Sequence, residues 1–197
     1  ARWEAVDKLE VFGGPRTLDR RHDLIFGLVL RAPRPAVPVD LVDIQPGVLL
    51  ESDEFEVRAF AVRHRGPGCL GYRFEEKARR PFLPEKAAAL GVPAGPVRRD
   101  LVNGETVTLD DGTVIEPDDV LGPPRPGVSL AVVGDTGHVE ELVEAVKGVD
   151  LLVCEATYLS RDREMARRFG HLTAEEAAWL ASEAGARTLA LNHHSQH

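Results

Sequence analysis

The last third of the chain alternates between buried strands and amphipathic helices, and this order constrains the fold more than any other feature of the sequence. Short apolar runs, which are typical of buried strands, occur within 128–136, 150–157 and 188–193. Helix-type patterns separate these runs. Strands that alternate with helices in this way predict an α/β fold in which helices cover a sheet.

Two different signals predict the intervening helices. The first helix is indicated by apolar residues at the spacing i, i+3, i+4 and i+7, namely Val139, Leu142, Val143 and Val146. The second is indicated by a capping box, in which Thr173 is followed by Glu176, and by a stop signal at Gly185. We therefore expect one helix in each connection.

The N-terminal half carries weaker strand patterns. Residues 8–13 and 54–64 alternate between apolar and polar side chains, and 70–74 follows a turn-forming Arg-Gly-Pro-Gly segment, so each is predicted to be a strand. From 75 to 122 the chain is instead rich in proline, glycine and charge, with one short helix pattern. A connection of this length inside a compact domain is usually functional or mobile. We predict a single domain over 1–197 with an inserted arm at 75–122.

Charge and composition limit the classes of function. The formal net charge is −8, so the surface as a whole does not offer the Lys and Arg side chains that neutralise phosphates, and any contact with nucleic acid must be local. The longest apolar run, 24–30, is too short to cross a bilayer, which predicts no membrane segment. Cys69 and Cys154 lack Cys-x-x-Cys spacing, so we expect reduced thiols in a cytoplasmic protein.

Several polar side chains stand at predicted strand ends or on the segments beside them, namely His64, Asp135, Glu155, His171 and His193. Strand ends of an α/β sheet bring side chains from distant parts of the sequence to one edge, and two imidazoles with a carboxylate form a ligand set that Zn²⁺ accepts. Singly these signals are weak, because a histidine at a strand end is more often solvated or hydrogen-bonded. The carboxylate within VCEAT is harder to dismiss, since its burial without a partner is costly.

Taken in order, these residues lie in segments that resemble the ribonuclease Z family of the metallo-β-lactamase superfamily along nearly the whole chain. The matching segments are LEVFG (9–13), AVRH (61–64), LGYRF (70–74), GVPAGPVRRDLVNGETVTLDDG (91–112), VVGDT (132–136), CEATYL (154–159), GHLTAEEAA (170–178) and LNHHS (191–195). The proline- and glycine-rich segment is the most specific, because other hydrolases of the superfamily have no reason to carry it.

The resemblance implies a metallo-β-lactamase αββα sandwich with a site for two zinc ions. By matching position, His64 and His193 are each similar to a ligand of one zinc, and Asp135 is similar to the carboxylate that bridges both. Two such ions stabilise the attacking and the leaving oxygen of a phosphodiester displacement. His171, held by Glu155, is similar to the family's proton donor to the departing 3′ oxygen. The implied activity is removal of the 3′ trailer from precursor tRNA by a cytoplasmic homodimer that contacts neither DNA nor membrane.

The segment 75–122 resembles the family's protruding arm, or exosite, which grips the body of the tRNA. Its charge agrees, because six basic residues accompany three acidic ones between Glu75 and Arg99 in a chain that is acidic overall. Phosphate contacts position a substrate without reading its sequence. The predicted substrate-binding residues are Lys77, Arg79, Arg80, Lys86, Gly95, Pro96, Arg98 and Arg99. Without the resemblance, a solvated charged face is the simpler interpretation.

The largest departure from the family pattern is the absence of the motif HxHxDH, which the resemblance places upstream of Leu9 with four further metal ligands. We therefore expect this chain to be a truncated portion that by itself binds zinc poorly and is inactive. Smaller departures are Cys154 where the family usually has His, Gly137 where Arg usually follows Gly-Asp-Thr, and His197 where Arg is common.

Two other functions remain open at the level of the sequence. One is a metallo-hydrolase of the same fold that acts on small phosphodiesters and uses the 75–122 segment for another purpose. The other is a non-catalytic homologue that keeps the fold and the arm as a tRNA-binding or dimerisation module. An upstream HxHxDH motif would eliminate the second.

Overall fold

The computed structural model describes residues 7–14, 20, 22–29, 37–66 and 68–195. The strands in these residues are β1 (Leu9–Gly13), β2 (Val39–Asp43), β3 (Gly47–Glu51), β4 (Phe55–Ala61), β5 (Leu70–Glu76), β6 (Val107–Thr108), β7 (Val114–Ile115), β8 (Ser129–Val133), β9 (Leu151–Glu155) and β10 (Thr188–Asn192). The α-helices are α1 (Pro84–Ala89), α2 (Pro96–Val102), α3 (Pro117–Val120), α4 (Arg163–Phe169) and α5 (Ala174–Ala184). A π-helix covers Asp23–Val29, and 3₁₀ turns cover Glu140–Leu142 and Ser160–Asp162.

The chain divides into two compact units. Unit 1 comprises 1–75 and 128–197, and unit 2 comprises 76–127. Unit 2 and the segment predicted to be an inserted arm share residues 76–122. No helix in the described ranges has the length and the apolar content that crossing a membrane requires.

The main sheet of unit 1 brings four strand ends to one edge. Its order is β10-β9-β8-β5-β4-β3, with β10, β9 and β8 parallel to one another and β5 antiparallel to β8. The connection from β4 to β5, residues 62–69, is too short for a parallel crossover, so β4 runs in the same direction as β8. The carboxyl ends of β4, β8, β9 and β10 therefore lie at the same edge. A separate parallel pair joins β1 to β2.

Helix α5 confirms the second predicted helix. The Thr173 hydroxyl accepts from Glu176 N–H at 3.3 Å, and the Glu176 carboxylate accepts from Thr173 N–H at 2.8 Å. Gly185 ends the helix in the left-handed conformation with φ of 67°, which costs glycine little. A side-chain cap of this kind stabilises a helix by about 1 kcal/mol. The ends of α5 are therefore set locally.

The prediction of the first helix is wrong for the backbone conformation, but most of the apolar residues that it placed on the buried face are buried. Val139, Leu142 and Val146 are buried, but the segment forms a 3₁₀ turn over Glu140–Leu142 followed by turns up to Gly148. Groups outside the segment take some of its backbone hydrogen bonds, while Val146 N–H still donates to Leu142 O at 3.1 Å. Arg73 Nη1 donates to the carbonyls of Lys147 (2.9 Å) and Ala145 (3.4 Å), and Gly148 N–H donates to Ala184 O at 2.7 Å. The helical ladder that the periodicity predicted is thus incomplete, and tertiary contacts satisfy several of the groups it leaves unpaired.

The core of unit 1 lies between one face of the sheet and α5. Its buried residues include Val62, just after β4, and Ala131, Val133, Leu152, Cys154, Ala177 and Leu180 from the strands and the helix. Burial of a leucine side chain contributes about 1.5–3 kcal/mol. Neighbouring residues on a strand point to opposite faces, and Val132, on the other face of β8, is 37% exposed. This core therefore covers one face of the sheet.

Unit 2 is a small folded body, whereas its proline and glycine content predicted mostly loop. Helices α1, α2 and α3 and the β6–β7 hairpin surround the buried residues Ala87, Val92, Leu101, Ile115, Val120 and Leu121. Each of the three helices has a proline in its first turn, namely Pro84, Pro96 and Pro117. A proline there fixes φ and removes an N–H group that has no partner anyway. These prolines therefore begin helices rather than interrupt the chain.

Candidate functional site

The predicted site residues of unit 1 lie at the shared edge of the main sheet. His64 follows β4, Asp135 follows β8, Glu155 is the last residue of β9, and His193 directly follows β10. His171 precedes α5. Because the four strands point the same way, residues that are far apart in the sequence meet at this edge.

His171 is central to this group. Potential ligand atoms of His64, Asp135 and His171 lie within 4.8 Å of one another, and the same holds for Glu155, His171 and His193. The His171 ring centroid is 5.1 Å from that of His64 and 5.2 Å from that of His193. Asp135 Oδ1 lies 3.6 Å from His193 Nδ1. The structure thus brings all five predicted residues together, with His171 between the two histidines that the resemblance assigns to metal.

Glu155 is a fully buried carboxylate surrounded by hydrogen-bond donors. Its side chain is 0% exposed. Oε1 accepts from Thr136 N–H at 2.7 Å and lies 3.0 Å from His171 Nδ1. Oε2 accepts from the Thr157 hydroxyl at 2.6 Å, from Leu172 N–H at 3.2 Å and from Thr157 N–H at 3.4 Å. These donors meet the condition under which a buried charge is tolerated.

The contact with Glu155 orients His171. Because the carboxylate accepts, His171 Nδ1 carries the proton of this hydrogen bond, and Nε2 is the atom left to face a substrate or a metal. The His171 side chain is 15% exposed, so the ring is not sealed from solvent. The pairing predicted from the sequence is therefore present as a short contact, while the catalytic role of His171 stays a prediction.

His64 is oriented by a backbone carbonyl rather than by a carboxylate. Its Nδ1 lies 2.9 Å from Gly170 O, so Nδ1 carries hydrogen and Nε2 is available as a ligand. Gly170 ends α4 in the left-handed conformation with φ of 71°, and a Cβ atom there would lie 3.4 Å from His64 Nδ1. The sequence Gly-His at 170–171 thus contributes to the site twice. The Gly170 carbonyl orients the His64 ring, and His171 supplies a second imidazole.

Thr136 is a structural link at the site that the sequence reasoning did not identify. It is 0% exposed, and its hydroxyl lies 3.0 Å from Arg63 O and 3.1 Å from His138 O. It therefore ties the turn after β8, which carries Asp135, to the segment after β4, which carries His64. The signal in the sequence was the threonine of Gly-Asp-Thr, because threonine bonds locally to backbone groups in turns.

Thr157 is a second residue that the sequence reasoning missed. Its hydroxyl lies between Glu155 and His193, at 2.8 Å from His193 Nδ1. It stands two residues after Glu155, which is the spacing that places side chains on the same side of an extended chain. His193 has φ of 55°, and within the described ranges it is the one residue other than glycine with positive φ. Such conformations are uncommon and concentrate at functional sites.

Cys154 lies on the opposite side of β9 from Glu155. It is buried in the core against α5, and burial, followed by the charge of Glu155, raises its pKa to about 12. Both cysteines are free thiols, as the sequence predicted. The replacement of the family's usual histidine by Cys154 therefore falls in the apolar core and not among the donors to Glu155.

The donor set fits a zinc ion. Imidazole nitrogen and carboxylate oxygen are ligands that Zn²⁺ accepts, and the Asp135 side chain is 46% exposed, so its oxygens are accessible. His64 and His171 each hold one ring nitrogen in a hydrogen bond to a protein oxygen, which is the usual outer support of metal-binding histidines. In the described part of the chain these residues supply fewer ligands than two zinc ions require.

Unit 2 uses part of its predicted basic surface internally. Arg80 Nε donates to Gly122 O at 2.9 Å and Nη2 to Leu121 O at 3.3 Å, and Nη1 pairs with Asp118. Arg98 is equally engaged: Nε donates to Pro93 O and Nη2 to Val92 O, each at 3.0 Å. These two guanidinium groups therefore stabilise unit 2.

The other predicted residues of unit 2 are exposed. They are Lys77, Arg79, Lys86, Gly95, Pro96 and Arg99. For Lys86 and Arg99 the described ranges contain no side-chain hydrogen bond or ion pair. Gly95, with φ of 129°, precedes Pro96 at the start of α2. Any role of these residues in substrate binding stays a prediction.

Comparison with known proteins gives consistent matches. A family profile described as a β-lactamase superfamily domain matches residues 112–194. Ribonuclease Z of Bradyrhizobium sp. (strain ORS 278) is 46% identical over 96% of this chain and 62% of its own length. Ribonuclease Z of Brevibacillus brevis is 39% identical over 95% of this chain and 58% of its own length.

Solved structures match over most of the chain at low sequence identity. Human tRNase Z, short form, has a TM-score of 0.54 at 21% identity, over 98% of this chain and 63% of that chain. The metallo-β-lactamase fold protein YhfI of Bacillus subtilis has a TM-score of 0.57 at 15% identity, over 96% of this chain and 54% of that chain. The chain thus spans roughly two thirds or less of the length of the proteins it matches.

Proposed function

The chain has the metallo-β-lactamase fold and belongs among the homologues of ribonuclease Z, and on this premise we propose that the whole protein is a zinc-dependent endoribonuclease that removes the 3′ trailer from precursor tRNA. The fold and the family resemblance predicted from the sequence are confirmed. Because the chain spans 62% and 64% of the length of two such relatives, the activity is proposed for the whole protein.

One observation carries the proposal. His64, Asp135, His171 and His193, which come from four separate segments, have their side chains at one sheet edge around the buried Glu155. A cluster of this kind concentrates imidazole and carboxylate groups where a phosphodiester and a metal can be held together.

His64, Asp135 and His193 are the residues that would hold metal. When bound, zinc supplies activation of the attacking water and stabilisation of charge on the phosphoryl oxygens. His64 presents Nε2 because Nδ1 is bonded to Gly170 O at 2.9 Å. Asp135 lies close to both histidines. Potential ligand atoms of Asp135 and His64 lie within 4.8 Å of each other, and Asp135 Oδ1 lies 3.6 Å from His193 Nδ1. This position suits a carboxylate that contacts two ions.

His171 is the proposed proton donor. In the reaction the water oxygen bonds to phosphorus, the bond between phosphorus and O3′ breaks, and O3′ needs a proton to leave as a hydroxyl. With Nδ1–H engaged by Glu155, the doubly protonated His171 gives that proton from Nε2 and is left as the neutral Nδ1–H tautomer. General acid catalysis of this kind contributes about 10²–10⁴-fold. The trailer keeps the phosphate, and the tRNA ends in a 3′ hydroxyl.

Unit 2 is proposed to bind the body of the tRNA. Lys86 and Arg99 are its best candidates for phosphate contacts, because both are exposed and neither has a side-chain partner in the described ranges. Lys77 and Arg79 are exposed as well. The homodimer implied by the resemblance belongs to the same proposal and is tested by sedimentation of the whole protein. A cytoplasmic location is supported by the two free thiols.

The test compares histidine variants of the whole protein under single-turnover conditions with a precursor tRNA that carries a 3′ trailer. We expect His171→Ala to lower the cleavage rate at least 100-fold with its zinc content unchanged, and His64→Ala to lower both. His138→Ala, at an exposed position two residues from the buried Thr136, is the matched control and should retain wild-type rate. Wild-type protein that carries zinc and leaves the precursor intact would contradict the proposal.

Removal of unit 2 separates the three candidate functions. Glu75 and Ser129 are paired in β5 and β8, so a two-residue Asn-Gly turn can replace 76–128 and close a hairpin. We expect this variant to lose precursor cleavage and to keep hydrolysis of bis(p-nitrophenyl) phosphate. Equal loss of both activities would contradict the role of unit 2. A wild-type protein active only on the small ester, or on neither substrate, would instead support the hydrolase or the non-catalytic homologue.

A further inference from the structure

We propose that Thr157 is a positioning residue whose hydroxyl donates to Glu155 and accepts from His193 Nδ1. This pair of hydrogen bonds fixes the tautomer of His193 in which Nε2 is free to bind metal. The inference rests on the proposed function for the identity of His193 as a ligand. The tautomer itself is a property of the protein without metal.

The direction of each hydrogen bond follows from the number of protons. The Thr157 hydroxyl lies 2.6 Å from Glu155 Oε2 and 2.8 Å from His193 Nδ1, and it has one proton to donate. If that proton is donated to Glu155, the second contact requires a proton on His193 Nδ1. Neutral His193 then carries no proton on Nε2, and this nitrogen has a lone pair for a metal.

The surroundings of Glu155 decide which of the two directions holds. Backbone N–H groups of Thr136 and Leu172 donate to its two oxygens at 2.7 and 3.2 Å, and His171 Nδ1 lies 3.0 Å from Oε1. A proton on Oε2 would point toward donors that already use that oxygen. Glu155 therefore acts as an acceptor, and the Thr157 proton points to it.

The backbone of the same segment holds the end of β10 in place. Ala156 N–H donates to Asn192 O and Ser195 N–H donates to Thr157 O, each at 2.9 Å. His193 lies between these two bonds with φ of 55°, a conformation that is unfavourable for residues other than glycine. The bonds on either side fix this conformation, so the imidazole is presented to Thr157 from a defined backbone.

Asp135 does not replace Thr157 as the partner of the His193 ring. Asp135 Oδ1 lies 3.6 Å from His193 Nδ1, which is beyond hydrogen-bond distance. The Thr157 hydroxyl, at 2.8 Å, is within that distance. Removal of this hydroxyl therefore removes the hydrogen bond that favours a proton on Nδ1.

The Glu155 carboxylate then fixes the tautomers of two imidazoles that have different proposed roles. Glu155 contacts His171 directly and His193 through Thr157. A change at Thr157 is therefore expected to alter His193 and leave His171 unchanged, whereas a change at Glu155 alters both. This difference separates positioning by Thr157 from general damage to the site.

The test measures tautomers by nitrogen-detected NMR of histidine rings in the whole protein, stripped of metal. Wild type is expected to show His193 protonated at Nδ1. Thr157→Val, which has a similar shape and no hydroxyl, is expected to lose this state at His193 and to keep the Nδ1–H tautomer of His171. Thr157→Ser is expected to restore the wild-type spectrum, and Thr188→Val, an exposed position at the start of β10, is the matched control.

Zinc binding supplies the second readout. Competition with a chelator is expected to show a 10- to 100-fold weaker affinity for Thr157→Val and less than a threefold change for Thr157→Ser. An Nε2–H tautomer at His193 in the wild type overturns the proposal, and so does unchanged zinc affinity in Thr157→Val. If Thr157→Val weakens zinc but the wild type leaves precursor tRNA intact, the positioning role holds and the proposed function falls.

Discussion

The two units of this chain use polar side chains in opposite ways. At the site edge of unit 1, one buried acceptor, Glu155, collects donors from several segments and thereby places His171 and Thr157. In unit 2, two donors, Arg80 and Arg98, spread over backbone carbonyls of their own unit. The first arrangement orients side chains of the candidate site, whereas the second stabilises a small fold.

The difference has an energetic basis. A buried charge that loses its partners destabilises a protein by about 3–5 kcal/mol, so every donor to Glu155 is constrained in position. An exposed ion pair contributes about 0–1 kcal/mol, so the arginines of unit 2 are less constrained by their charge than by their hydrogen bonds. A count of basic residues therefore overestimates the number of side chains in unit 2 that are available to bind a ligand.

Replacement of Glu155 has the largest expected effect and tests whether unit 1 depends on one acceptor. Glu155→Gln places an amide NH₂ against donor groups, so we expect a loss of about 3 kcal/mol in the free energy of unfolding and a fall of at least 1000-fold in precursor cleavage. Urea denaturation and single-turnover kinetics measure the two effects. Glu183→Gln, at an exposed position of α5, is the matched control and should change neither.

A variant Glu155→Gln with wild-type stability and activity would break the comparison, because the network would then be replaceable. Loss of activity alone, with stability unchanged, would restrict Glu155 to orienting His171.

A cavity in unit 2 is expected to have the next largest effect on stability. We expect this effect to be confined to unit 2. Leu101 is fully buried in α2, and Leu→Ala changes in such positions cost about 2–5 kcal/mol. Because the core of unit 2 is small, we expect Leu101→Ala to open 76–127 while unit 1 stays folded. Hydrogen exchange should show loss of protection in unit 2, and hydrolysis of a small phosphodiester should persist.

Exposed Val102→Ala, the next residue of α2, provides the control. Loss of protection in both units at once would show that they unfold together and would remove the basis for treating their polar side chains separately.

The basic residues of unit 2 are expected to divide into two classes with smaller effects. Lys86→Ala combined with Arg99→Ala should raise the KM for precursor tRNA about 5- to 10-fold, reduce the salt dependence of binding and leave the melting temperature unchanged. Arg80→Ala and Arg98→Ala should each lower stability by about 1 kcal/mol, because each leaves backbone carbonyls without donors. Steady-state kinetics at two salt concentrations and thermal melting distinguish the classes. If Arg80→Ala and Arg98→Ala raised KM and the Lys86 and Arg99 variant lowered stability, the internal hydrogen bonds would not decide which basic residues contact substrate.

The same contrast explains what the sequence could predict. Predicted strand ends placed His64, Asp135 and His193 at one edge, as the structure has them, because strand direction and order fix where such residues go. Helix α5 was predictable from Thr173, Glu176 and Gly185, because its caps are local. These features depend on residue identity and short spacing.

The rest depended on contacts between distant segments. Turns near Val146 stand where a helix was predicted, and Arg73 and the end of α5 bond to backbone groups at the end of that segment. The role of Thr157 required the position of His193, which lies 36 residues away in the chain. In unit 2 the internal use of Arg80 and Arg98 was invisible, since a sequence shows how many charges exist and not which acceptors they meet.

Cys154 gives the smallest expected effect and tests whether the two faces of β9 are independent. It adjoins Glu155 in sequence but packs in the apolar core, so Cys154→Ala should lower stability by about 1 kcal/mol and change precursor cleavage less than twofold. A larger loss of activity would mean that the core face reaches the carboxylate. Alkylation of the native protein should modify the partly exposed Cys69 first, and Cys154 only as fast as unit 1 opens.

The pH dependence of stability gives an independent measure of the same burial. Burial raises the pKa of the Cys154 thiol from 9.0 to about 12, so between these values the unfolded chain loses a proton that the folded protein retains. The contribution of Cys154 to stability is therefore complete below pH 9 and falls above it by up to about 1.4 kcal/mol per pH unit. Urea denaturation of the wild type and of Cys154→Ala at pH 8 and pH 10 measures the difference, and parallel pH profiles would show that the thiol is not held neutral by the core. Because the charge of Glu155 adds to this shift, Glu155→Gln should lower the pH at which the folded protein loses the thiol proton and leave the slope between pH 9 and that value unchanged.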